Sequence, residues 1–355
     1  MREDFVSRLG VQLQEAAERE AQRGPGRRAA RAARSGVPIR PAVTVAALVV
    51  AVVVVLAVGR ALQDDRATPT VPLPHIVAEG QLVRGGGPIA SGFGAVWALD
   101  TATSELLRID PATRAVRARI PVRVGPVASV TTAAGAVWVL TGGRLLRIDP
   151  ATDRVSARVT LPPAAQGPAG ILSTAGSVWV VTQQRLVRID PERAAIRRTI
   201  DLTADGFQAT SAVAGGGTLY VGRADGRLLA FDARSGARVS GVAPRISGFM
   251  FAIVAGRILA FTDHGLAAFA PDSGRTAWTR DVGTRGANAA VVQGDNVWAH
   301  AADPQTGRDR LLRIDARTGR PKGSVALREF GVAGMAAVGG QVWSVTQKGH
   351  LVVVA

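Results

Sequence analysis

Gly135-Ala-Val-Trp138-Val-Leu-Thr-Gly-Gly-Arg-Leu-Leu-Arg-Ile-Asp149-Pro-Ala-Thr152 decides the fold, because the chain writes variants of it seven times. The other copies open at Gly94-Ala-Val-Trp97, Gly176-Ser-Val-Trp179, Gly217-Thr-Leu-Tyr220, Gly256-Arg-Ile-Leu259, Asn296-Val-Trp298 and Gly340-Gln-Val-Trp343. Their anchor residues lie 41, 41, 41, 39, 39 and 45 positions apart. A period near forty residues, carried on short apolar runs between glycine turns, is that of an all-β propeller with one blade per repeat.

The second copy supplies the pattern of a blade. Val127–Thr132 reads as the inner strand, Ala136–Leu140 as the second, Arg144–Ile148 as the third and Arg154–Leu161 as the outer one. Between the last two, Asp149-Pro-Ala-Thr152 makes a turn: Asp accepts backbone hydrogen bonds two residues on, and Pro presets φ. Because such aspartates recur at 110, 190, 232 and 315, they read as turn residues rather than metal ligands. The recurring tryptophans read as wedges between blades.

After Trp343 the chain runs His350-Leu-Val-Val-Val-Ala355 and stops at a third strand. Ile76–Val83, followed by Arg84-Gly-Gly-Gly-Pro88, matches Val116–Val122 followed by Arg123-Val-Gly-Pro126. The expected ring therefore has seven blades, the last completed by the N-terminal strand, which removes exposed sheet edges.

Ahead of the repeats, Ala42–Gly59 is an uncharged run of 18 residues. As a helix rising about 1.5 Å per residue it would cross about 27 Å, close to a bilayer core. Residues 23–40 carry six arginines and no acid, whereas Arg60 and Arg66 face Asp64 and Asp65. The excess of positive charge places the N-terminus in the cytoplasm and the propeller outside the cell membrane, on an uncleaved single-pass anchor. A cleaved signal peptide is the rival, but a leader of 40 residues is long for it. The expected domains are 1–41, a basic segment with a short amphipathic helix about Phe5, Leu9 and Leu13; 42–59, the spanning helix; 60–75, a linker; and 76–355, the propeller.

The chain has no cysteine, which removes disulfides, thiolate nucleophiles and thiolate metal sites. Its net charge of +16 is almost all arginine, since Lys322 and Lys348 are its lysines. The basic residues are not interleaved with aromatics, and no nucleic-acid recognition motif is present, so nucleic acid is not an expected partner.

The Gly-x-Val-Trp and Leu-Leu-Arg-Ile-Asp-Pro-x-Thr repeat resembles YVTN-type and virginiamycin B lyase-like propellers. Gly274-Arg-Thr-Ala-Trp278 resembles the Gly-x-x-x-Trp of quinoprotein (PQQ-like) repeats. The quinoprotein resemblance implies PQQ and calcium beside an acidic base, which seven repeats without an acidic cluster do not match, so no cofactor is expected. The lyase-like resemblance implies a His and a Glu at a magnesium ion. The propeller has only Glu79, Glu105, Glu192 and Glu329, none set beside a His in that way.

In a propeller the loops joining strand four to the next strand one share a face with the loops joining strands two and three. The first class carries Arg84, Arg123, Gln166, Phe207, Gln208, Arg245, Arg285, Arg328 and Phe330. The second carries Asp100, Gln183, Arg223, Asp225, Asp263, His264, His300, Asp303 and Lys348. The candidate ligand-binding residues are Arg123, Arg245, Arg285, Arg328, Asp263, His264, His300 and Asp303, with no catalytic residue and no metal ligand assigned. Three of the four histidines (His264, His300, His350) fall in successive repeats, beside Asp263 and Asp303. The leading expectation is a membrane-tethered extracytoplasmic scaffold for a protein, peptide or envelope polymer. A lyase or hydrolase acting on an anionic substrate at this face is the alternative. A third is a sensor signalling through the single helix.

Overall fold

The computed structural model describes residues 73–355, apart from 124, 126–127, 164–167, 204–205, 241–244, 247, 283–288, 303–305, 307 and 330. The expected amphipathic helix, the spanning helix 42–59 and nearly all of the linker lie outside the described residues. Among the described residues no helix is long and apolar enough to cross a membrane.

Seven antiparallel sheets form the fold. The first blade runs Ile89–Gly92, Ala95–Asp100, Glu105–Ile109 and Val116–Pro121; the second runs Ala128–Ala133, Ala136–Thr141, Arg144–Asp149 and Arg154–Thr160. These bounds fall within a residue or two of those read from the repeat. Each inner strand contacts the inner strands of both neighbouring blades, from the seventh back to the first, so the ring is closed.

Closure uses the strand that the sequence offers. Ile76–Gln81 pairs antiparallel with His350–Val354 as the fourth strand of the seventh blade. Leu82 and Val83 extend the pairing, both donating to Gly349 O.

The fourth blade departs from the repeat. Among the described residues its sheet holds Ala209–Gly215, Thr218–Arg223 and Leu228–Asp232, and the outer position is marked by two isolated bridges, Phe231 with Arg238 and Arg227 with Arg245.

The tryptophans are wedges. Trp97 packs with Leu99 and Leu106 of its own blade and Val130, Val137 and Val139 of the next. Trp138 does the same between the second and third blades, Trp179 between the third and fourth, and Trp298 between the sixth and seventh. Trp343 seals the seventh blade against the first. All five are at most 1% exposed. Removing on the order of 200 Å² of such a ring from water is worth about 5 kcal/mol before ordering costs, so each of these five boundaries carries a large share of the stability.

The turn aspartates hold their own loops. Asp110 Oδ1 accepts from Ala112 and Thr113 N–H, Asp190 Oδ1 from Glu192 and Arg193, and Asp315 Oδ1 from Arg317 and Thr318.

Candidate functional site

Both loop classes meet on one face, as the strand alternation requires, and they enclose cavities at the blade boundaries. At the boundary of the seventh and first blades, a cavity of about 520 Å³ is lined by residues including Arg84, Asp100, Glu105 and Arg119. Asp100 is buried and accepts from the N–H groups of Arg84, Gly85, Ala102 and Thr103. Burial pushes its carboxyl up, but these four donors outweigh that and hold it below the usual carboxylate range. Glu105 pairs with Arg119 at 3.2 Å.

The next boundary carries the corresponding cavity, of about 550 Å³, lined by Arg123, Thr141, Gly142, Arg144 and Arg158 among others. Arg123 is exposed and takes a left-handed backbone (φ 52°). Thr141 Oγ1 fastens the loop: it donates to Arg123 O at 2.8 Å and accepts from Gly125 N–H at 2.6 Å.

A third cavity, of about 520 Å³, belongs to the fourth blade and is lined by Phe207, Arg223, Arg227, Arg238 and Arg245 together with leucines. Asp225 takes both Arg223 (2.7 Å) and Arg227 (3.4 Å). A fourth, of about 470 Å³ on the sixth blade, is lined by Arg308, Asp309, Arg328 and Glu329 among others. Arg328 reaches Glu79 of the closing strand at 2.8 Å.

The candidate residues therefore divide. Arg123, Arg245 and Arg328 each line a separate cavity of the loop face, and the structure does not bring them into one site. Arg285 and Asp303 lie outside the described residues, as do Gln166 and Phe330. Asp263 and His264 are exposed in the turn between Thr262 and Gly265. His300 is a strand residue rather than a loop residue and is 4% exposed. Its Nε2 meets Asp309 Oδ2 at 2.6 Å, a carboxylate partner that its sequence neighbours do not point to. His350 is half-buried in the third strand of its blade. Among the described residues no group of three or more His, Cys, Asp or Glu is placed to hold a metal ion.

Sequence reasoning passed over Arg144, Arg158 and Thr141. Their signal lies in cross-strand register: Leu107 faces Arg119 as Leu146 faces Arg158, and Glu105 faces Pro121 as Arg144 faces Thr160.

Residues 73–279 and 262–355 match the family model described as outer membrane protein assembly factor BamB. Among solved structures, BamB from Moraxella catarrhalis superposes with a TM-score of 0.55 at 14% identity, over 79% of this chain and 99% of that one. BBS1N, in its complex with ARL6DN, gives 0.63 at 13% over 79% and 96%. The computationally designed Ika8 protein gives 0.57 at 12% over 77% and 99%. At these identities the likenesses show the propeller fold alone. No curated protein matches the chain.

Proposed function

The chain belongs to the PQQ-like propeller family described as outer membrane protein assembly factor BamB, and from that premise we propose that it is a membrane-tethered extracytoplasmic scaffold, binding a protein, peptide or envelope polymer on its loop face. The observation that carries the proposal is the character of that face. Four cavities on it, two at blade boundaries and one each on the fourth and sixth blades, are lined by arginines, on a closed ring held by wedged tryptophans. Arginine suits such a surface because its planar fork binds carboxylates and main-chain oxygens while its stem packs on apolar groups. A rigid ring presents these groups without a backbone ordering cost at the moment of binding. The family's description names an assembly factor, which favours a protein among the three partner classes. The tether rests on the uncharged run 42–59 and its arginine-rich N-terminal flank.

Photo-crosslinking side chains placed at Arg123, Arg245 and Arg328 of the full-length chain, in its native membrane, test the proposal. Ala112 and Ala151, in turns at the opposite ends of the strands, serve as controls. A discrete protein adduct from the loop-face positions and none from the turns is the expected result. Equal labelling from both sets, or none from either, defeats it. Protease added to intact cells should cut the propeller and spare residues 1–41; protection of the propeller would reverse the orientation.

A further inference from the structure

The cavities on either side of the first blade are built on the same register, residue for residue. Arg84 follows the closing strand of the seventh blade as Arg123 follows the outer strand of the first. Arg119 and Arg158 stand opposite Leu107 and Leu146. Asp100 and Thr141 end the second strands and fasten the loops before them. Glu105 and Arg144 open the third strands, opposite Pro121 and Thr160.

What changes is charge. In the first cavity two arginines face two carboxylates, and the Glu105–Arg119 ion pair occupies its wall. In the second, Asp100 is replaced by a neutral threonine and Glu105 by a third arginine, so Arg123, Arg144 and Arg158 share one cavity with no acid in its lining. No hydrogen bond or ion pair engages the guanidinium groups of these three among the described residues. Arg144 and Arg158 are diagonal cross-strand neighbours, within reach of one bound group. They stand on one wall with like charge, so an anion between them is attracted to both.

We infer that this cavity between the first and second blades binds a terminal phosphate group, the oxyanion whose two negative charges and three free oxygens match three guanidinium forks. A phosphodiester carries one charge and two free oxygens and meets the site less well. The cavity at the fourth blade is a weaker candidate, since Asp225 already takes two of its arginines. The phosphate site goes beyond the scaffold proposal and needs no protein partner, so either can fail alone.

The test is calorimetric titration of the full-length protein in neutral detergent at low salt. Inorganic pyrophosphate and glycerol phosphate present terminal phosphate, and glycerophosphoglycerol presents a diester. One equivalent of pyrophosphate or glycerol phosphate is expected to bind, and the diester at least tenfold more weakly. Arg144→Glu puts back the acid that the first cavity carries at this position and is expected to weaken pyrophosphate binding at least tenfold. Arg158→Glu should do the same, and Arg144→Lys should lose less than either. Arg154→Glu makes the same charge change at the far end of the outer strand and is expected to leave binding unchanged. No stoichiometric binding, equal binding of the diester, or an equal loss in Arg154→Glu overturns the inference; the last result would mean diffuse attraction to the +16 charge of the chain.

Discussion

His75 and Ala355 hold each other by both backbone groups: His75 N–H donates to Ala355 O at 3.2 Å, and Ala355 N–H donates to His75 O at 3.1 Å. This ring lies at the end of the ladder that joins Ile76–Gln81 to His350–Val354 and is the point where the propeller closes. The apolar side of the closing strand packs there too, since Ala78, Leu82 and Val83 belong to the cluster around Trp343.

Deleting residues 76–83 should therefore abolish cooperative unfolding of the propeller. Without them the third strand of the seventh blade becomes a bare edge, and the core at the first-blade boundary opens to water. Circular dichroism melting is the measurement. A transition of unchanged midpoint and steepness would show that the ring does not depend on its closing strand.

Gly319 and Gly135 share a left-handed backbone, at φ 69° and 71°, but differ in surroundings. A Cβ on Gly135 meets nothing within 4 Å, whereas one on Gly319 lies 2.6 Å from the ring of Trp278. Trp278 bridges the fifth and sixth blades by donating from Nε1 to Ala316 O at 3.1 Å. Gly135→Ala should cost about 1 kcal/mol of backbone strain. Gly319→Ala should cost about 3 kcal/mol, because it displaces the indole as well. Equal costs in urea titrations would mean that the Trp278 packing is dispensable.

The architecture was legible because its signals are local and repeated. Each of the five wedge tryptophans is the third residue of its strand and each turn Asp stands at or directly after the end of a third strand, so the copies reinforce one another. The short closing strand was legible because Arg84-Gly-Gly-Gly-Pro88 echoes Arg123-Val-Gly-Pro126. The sites were not, and hairpin length is the reason. The turn at 101–104 has two more residues than the turn at 142–143, so Glu105 and Arg144 fall out of phase when copies are aligned on their tryptophans. Only the ladder restores their equivalence.

Asp190 ties pH to stability at the turn of the third blade. The Arg193 N–H leads in lowering its pKa; the guanidinium groups of Arg193 and Arg197 and the Glu192 N–H add to this, and all outweigh burial to hold the carboxyl well below its reference of 3.8. A carboxyl with a lower pKa in the folded state than in the unfolded one adds stability above the unfolded value. That contribution is lost as pH falls toward the folded value. The gap in stability between wild type and Asp190→Asn should thus be constant from about pH 5 to 8 and shrink below about pH 4. Urea titrations across that range measure it, and a gap that widens in acid would reverse the sign.

His300 and Asp309 form a different kind of lock, and the register explains it. His300 pairs with Leu311 and Ala302 with Asp309, so the two side chains are diagonal neighbours on one face of the sixth blade. Both are less than a tenth exposed, and Asp309 Oδ2 accepts from His300 Nε2 at 2.6 Å and from Gly331 N–H at 2.9 Å. Gly331 leads into the inner strand of the seventh blade, so one carboxylate oxygen joins two blades through a single histidine. His300→Ala should cost about 3 kcal/mol, because it leaves the buried carboxylate with one donor fewer and a void beside it. His300→Gln keeps a donor of similar reach and should recover part of that loss. Removing both partners together in His300→Leu/Asp309→Leu should cost less than the sum of the single changes, since no unpaired charge remains buried. A double-mutant cycle by urea denaturation tests this, and additive losses would show that the two groups are neighbours without being partners.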